Sequence, residues 1–292
     1  MPAKGLFIGI NDYAPSGPGG PDLRGCVNDV RDAAGTYVSL GVLTAAPAYL
    51  KILTDARATR ANILAGLKWL LTPTPKVDQL IFYYSGHGSY CLDTSGDEVD
   101  GKDETICPHD YAAAGMIKDD QFRSAFTALK PGVTLEVILD TCHSGTGTRE
   151  LLAMESLPED QKVNIRFVEP PIDEAFFFDI HPKLETRGFL KEIRTRQTVP
   201  VPGMNHVLWA ACKDNQTSAE APISGAYRGV FSYCYFKVLR AVGIRISRRK
   251  LDALVCAEVK KMGFSQIPQL EANPTELDQP ILRELPVAAA HK

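Results

Sequence analysis

The chain has 292 residues, 45% hydrophobic and 23% charged, with 32 Lys and Arg against 35 Asp and Glu for a net charge of -3. That length suits one large domain or two small ones, and neither Gly nor Pro reaches the level of a fibrous or disordered chain. There is no basic stripe for nucleic acid, no apolar run near the roughly 18 residues of a membrane span, and no signal-peptide pattern at the start, so a cytoplasmic protein without nucleic-acid or membrane partners is expected.

Residues 5–10 make the first strand candidate. Residues 26–40 then show helical spacing, with Val27, Val30, Ala34, Tyr37 and Val38 on one side. A second strand is predicted at 49–53. Thr59 is a suitable N-cap for a helix carrying Ile63, Leu64, Leu67, Leu70 and Leu71. Strands at 79–84 and 133–139 flank a helix around 120–129. A strand at 206–211 and helices over 229–242 and 248–262 follow. The basic stretch Arg245, Arg248, Arg249 and Lys250 reads as the solvated start of that last helix. Strands alternating with helices imply an α/β fold, a mostly parallel sheet of six or more strands with helices on both faces. Ligands gather beyond the carboxyl ends of such strands.

Two segments break this rhythm. Residues 89–120 read as a long acidic loop, with nine carboxylates against Lys102 and Lys118. Residues 146–203 form a connection too long for a turn, and such excess length usually has a use. Seven cysteines at irregular spacing, without a C-x-x-C pair, support neither zinc nor a disulfide framework.

The chemistry gathers at two strand ends. The strand 79–84 runs into Ser85-Gly86-His87-Gly88, and the strand 133–139 into Asp140-Thr141-Cys142-His143-Ser144-Gly145. A cysteine needs a nearby base to become a nucleophilic thiolate, and His is the usual one. Residues two apart in an extended segment point the same way, so Ser85 shares a side with His87 and Asp140 with Cys142. A carboxylate beside a thiolate raises the thiol pKa. Asp140 makes sense there if it meets a positive substrate group through a charge-assisted hydrogen bond.

These motifs resemble the metacaspases, in particular the short prokaryotic kind without a prodomain, the orthocaspases. The 55-residue separation of His87 and Cys142 is close to that of caspases, whose own cysteine motif is absent. Residues 23–29, 211–220 and 266–270 are similar to the family's first pocket segment, its small-subunit opening loop and its closing strand. The resemblance implies one caspase-like domain over 1–292, with a large-subunit-like region at 1–145, a linker at 146–203 and a small-subunit-like region at 204–292. It implies a Cys-His dyad of Cys142 and His87, oxyanion donors at the backbone N–H groups of Gly88 and Cys142, and a pocket of Cys26, Asp29, Ser85 and Asp140. Such a peptidase cuts protein or peptide substrates after Arg or Lys and is a monomer. The resemblance further implies Ca2+ at Asp103, Asp119 and Asp120, although Arg149 stands where a fourth aspartate is expected. The linker is expected to gate the site and to be cut by the enzyme itself. It carries basic residues suited to an acidic pocket, Lys162, Arg166, Lys183, Arg187, Lys191, Arg194 and Arg196, and a cut within 183–196 is favoured. The rival reading is a caspase-like regulatory or binding module with little or no activity.

Overall fold

The computed structural model describes residues 3–14, 22–92, 102–142, 162–170, 198–213 and 216–281. The elements in order are β1 (Lys4–Gly9), α1 (Cys26–Ser39), β2 (Leu50–Thr54), α2 (Arg60–Leu71), β3 (Gln79–Ser85), β4 (Gly88–Leu92), β5 (Lys102–Ile106), α3 (Tyr111–Ala114), β6 (Ile117–Lys118), α4 (Asp119–Phe126) and β7 (Thr134–Asp140). They continue with β8 (Asn164–Ile165), β9 (Thr198–Pro200), β10 (Val207–Ala210), β11 (Ala219–Ile223), β12 (Ala226–Gly229), α5 (Val230–Val242), α6 (Arg248–Lys261), β13 (Gln269–Ala272) and α7 (Pro274–Leu277).

Seven strands form the central sheet in the order β2-β1-β3-β7-β10-β13-β9. All neighbouring pairs are parallel except β10 with β13. Every residue of β1 and of β3 is buried, because helices cover both faces. The period-two alternation divides them between two cores. Phe7 and Tyr83 face Tyr37, Phe231 and Phe236 of α1 and α5, whereas Leu6, Ile8 and Phe82 face Ile63 and Leu67 of α2. Thr59 caps α2, its hydroxyl accepting from the Asn62 N–H at 3.3 Å. No helix among the described residues is long and apolar enough to cross a membrane.

Three expectations need correction. The stretch 89–120 is not a simple loop: β4, β5 and β6 form an antiparallel three-stranded sheet within it. Its buried Ile106, Cys107 and Ile117 join the α2-side core, a signal hidden by the surrounding charge. Of the basic stretch, Arg245, Arg249 and Lys250 are exposed, but Arg248 is fully buried and paired with Glu136. The closing strand runs over Gln269–Ala272, starting three residues later than 266–270.

Candidate active site

Register brings the two motifs together. Ser85 and Asp140 are paired partners at the carboxyl ends of β3 and β7, and the Gly86 N–H donates to the Asp140 carbonyl at 3.3 Å. His87 and Cys142, each two residues further on, therefore leave the sheet at the same end. Two tyrosines hold the histidine turn. The His87 N–H donates to the Tyr13 hydroxyl at 2.7 Å, and the two rings lie 4.9 Å apart. The Tyr84 hydroxyl reaches the carbonyls of His87 at 2.6 Å and Cys107 at 2.9 Å. A Cβ on Gly86 would stand 2.5 Å from the Tyr84 hydroxyl, so the turn requires glycine. Both His87 and Cys142 are buried. The Cys142 thiol donates to the Gln216 carbonyl at 3.2 Å, and the Cys212 thiol meets the same oxygen at 3.3 Å. The neighbouring Cys142 raises the Cys212 pKa, and burial adds to the effect.

The four expected pocket residues converge on one guanidinium, that of Arg166. It lies 2.7 Å from Asp29, 3.0 Å from Asp140 and 3.5 Å from Glu220, and it donates to the Ser85 hydroxyl at 2.8 Å. Arg166, Asp140 and Glu220 are all fully buried, and Asp29 nearly so. Each carboxylate also has donors of its own. Asp29 accepts from Ser85 Oγ at 2.9 Å and from the Gly229 N–H at 3.0 Å. Asp140 accepts from Ser218 Oγ at 2.9 Å and from the Ser232 N–H at 3.0 Å. Glu220 accepts from the N–H groups of Arg24 and Gly25, both at 2.8 Å. Burial pushes the Asp29 carboxyl up to about 6, with the neighbouring Asp140 adding to the rise and Arg166 opposing it. The Cys26 thiol is buried beside them and is also pushed up, chiefly by that burial. Asn11 orients this corner by accepting from the Cys26 N–H at 2.8 Å at the start of α1.

The backbone of residues 164–168 follows the same track. Its β8 portion pairs antiparallel with β11, the Arg166 N–H donates to the Ser218 carbonyl at 3.1 Å, and the Val168 N–H donates to the Gly88 carbonyl at 2.9 Å. The Arg166 carbonyl oxygen accepts from the Gly88 N–H at 3.0 Å and the Cys142 N–H at 3.3 Å. These are the two donors expected for an oxyanion. A Cβ on Gly88 would come within 2.3 Å of the Cys142 carbonyl, so glycine permits this approach.

The three expected calcium ligands are less closely gathered. Asp103 is buried, with Oδ2 held by Lys118 at 2.7 Å. Asp119 and Asp120 pair with Arg123 at 2.9 and 3.5 Å. Asp103 Oδ1 and Asp119 Oδ1 are buried without a hydrogen-bond partner, which suits a hard cation. Among the described residues no group of three or more His, Cys, Asp or Glu is arranged around one point. Lys183, Arg187, Lys191, Arg194, Arg196, Arg149 and His143 lie outside the described residues.

Sequence reasoning missed Glu220, Gly229, Ser218 and Ser232 as pocket residues. Glu220 and Ser218 stand in the 211–220 motif, but only the pairing of β11 with β12 turns them toward Asp29 and Asp140.

Comparison with known proteins identifies the family and the fold. The family model for the metacaspase, peptidase C14 domain matches residues 3–149. Metacaspase-1A of Aspergillus terreus is 35% identical over 294 residues, covering 92% of this chain and 70% of that protein. Metacaspase-1 of Ajellomyces capsulatus is 34% identical over 261 residues, covering 81% and 70%. A crystal structure of a Geobacter sulfurreducens protein superposes with a TM-score of 0.65 at 25% identity, covering 96% of this chain and 97% of that one. With a caspase-like α/β sheet and a histidine and cysteine at adjacent strand ends, the chain belongs to the metacaspase family of cysteine endopeptidases.

Proposed function

We propose that this peptidase cleaves after Arg, and after Lys, and that its own Arg166–Phe167 bond is its first substrate. One observation carries the reading: Arg166 fills the acidic pocket while its carbonyl oxygen rests on the Gly88 and Cys142 N–H groups. In this mechanism His87 takes the Cys142 proton and the thiolate attacks the carbonyl carbon. The developing oxyanion is held by those two N–H groups. His87 then returns the proton to the leaving amine, and water releases the acyl group from Cys142. Asp29, Asp140 and Glu220 select the cation, with Ser85 donating to Asp29 and accepting from the guanidinium. A Lys ammonium reaches the same carboxylates as a point charge, without the bidentate fork.

Arg166 precedes the stretch 183–196 in which a cut was expected. Before cleavage it excludes other substrates, since a tethered side chain has a high effective concentration. Calcium is proposed as a modulator held by Asp103 and Asp119, where it would offset their charge in place of Lys118. The seven free cysteines suit a reducing cytoplasm. Strand β9 covers the outer edge of β13, which supports a monomer.

Mass spectrometry of purified protein, with and without calcium, tests the reading. The wild type is expected to yield a new N-terminus at Phe167, and Cys142→Ala and His87→Ala to stay single chains. An intact wild-type chain whose Cys142 also resists iodoacetamide at neutral pH would favour the regulatory module, with Arg166 as a permanent plug.

A further inference from the structure

Besides Val163 and Val168, which pack against the two cores, the segment that carries Arg166 makes two further side-chain contacts, one on each side of the bond to be cut. On the amino-terminal side, Asn164 Nδ2 donates to Glu220 Oε1 at 2.9 Å. Residues two apart on an extended strand share a side, and so Glu220 lies between the side chains of Asn164 and Arg166. Its carboxylate is fully buried and fixed by the Arg24 and Gly25 N–H groups, so it stays in place when the segment leaves. On the carboxyl-terminal side, the ring of Phe167 stacks on Tyr90 of β4, with centroids 5.9 Å apart and planes 29° apart. Gly88 pairs with Phe167 as an isolated parallel bridge, which fixes the register of the chain across the bond.

We infer that Glu220 and Tyr90 extend recognition beyond the basic residue, and this deepens the proposed cleavage after Arg on which it rests. The favoured substrate is an extended peptide with a side-chain hydrogen-bond donor, Asn or Gln, two residues before the Arg and an aromatic residue directly after it. Both contacts come from groups anchored outside the linker, and the backbone bonds at Ser218 and Gly88 dictate where any peptide's side chains fall. An Asp in place of the Asn would set a second carboxylate against Glu220 and is rejected. A hydrogen bond to a charged acceptor favours Asn over Ala by roughly tenfold to a hundredfold, and the aromatic pair favours Phe over Ser by about two- to tenfold.

Internally quenched peptides built on Val-Asn-Ile-Arg-Phe-Val test this with the self-processed full chain. Replacing the Asn by Ala or Asp, or the Phe by Ser, is expected to lower kcat/KM by those factors. Tyr90→Ser should make the Phe and Ser peptides equivalent, and Tyr90→Phe should restore the preference. In the uncut protein, Phe167→Ser, Tyr90→Ser and the double variant should slow self-cleavage to the same extent, since each removes the same contact. If Arg is required but every such peptide is cut at one rate, the extended recognition is wrong and the reading beneath it stands. If cleavage does not depend on Arg, both fall.

Discussion

Strand β7 carries a buried carboxylate near each end, and each faces a fully buried arginine, yet the two pairs are built differently. Near its start, Glu136 accepts from Arg248 Nε at 2.7 Å and Nη2 at 2.5 Å, and from the Trp209 indole at 2.8 Å. One buried carboxylate meets one cation, with the partly exposed Glu276 adding a contact at 3.2 Å. At its other end Asp140 shares Arg166 with Asp29 and Glu220, so three buried carboxylates meet one cation, and Arg166 Nε has no hydrogen-bond partner. These carboxylates are held by hydroxyls and backbone N–H groups that remain when the arginine leaves. A balanced ion pair is a fixed part of a core. On the proposed reading, a cluster with excess charge and its own neutral donors is a preorganised receptor.

The sharpest way to break this comparison is to remove each cation. Arg248→Met leaves Glu136 charged in the core and should cost about 3–5 kcal/mol in chemical denaturation. Arg166→Met should lose less than half as much, because its segment undocks and admits water to the carboxylates, and Cys142 should be alkylated faster. Equal losses would make both sites structural. Next in size, Asp140→Asn should weaken hydrolysis after Arg by about 2–5 kcal/mol, read as kcat/KM, while leaving thermal stability near that of the wild type. Substantial Arg cleavage by that variant would remove the charge from the argument for specificity.

The smallest effect concerns a half-buried imidazole that has no carboxylate partner among the described residues. His206 packs on Phe126 with ring centroids 4.8 Å apart, and burial, assisted by Arg123, pushes its pKa down to about 4. Between about pH 6.5 and 4 the unfolded chain binds a proton that the folded protein does not, so stability falls as the pH is lowered through that window. The slope from this group is at most about 1.4 kcal/mol per pH unit. His206→Gln should flatten the dependence in that window. An unchanged slope would show that burial alone does not keep this site neutral.

Local pattern and spacing sufficed for much of the molecule. Largely apolar runs gave away β1, β3 and β7, Thr59 announced α2, and the two glycine-flanked motifs placed His87 and Cys142 each at a strand end, whereas the pairing of β3 with β7 came from the sheet. The two-residue offset also put Ser85 and Asp140 on the pocket side, because side-chain alternation along a strand is a property of the backbone itself. The rest depended on contacts that leave no trace within a short window. Arg166 meets Asp29 across 137 residues, Glu220 meets Gly25 across 195, and Gly229 meets Asp29 across 200. Among the eight Lys and Arg residues of the linker nothing local marked Arg166, and nothing in a group of four basic residues marked Arg248 as the one inside. A charged side chain is buried only where the folded chain supplies opposite charge and donors around it, and those partners are assembled by the tertiary structure alone.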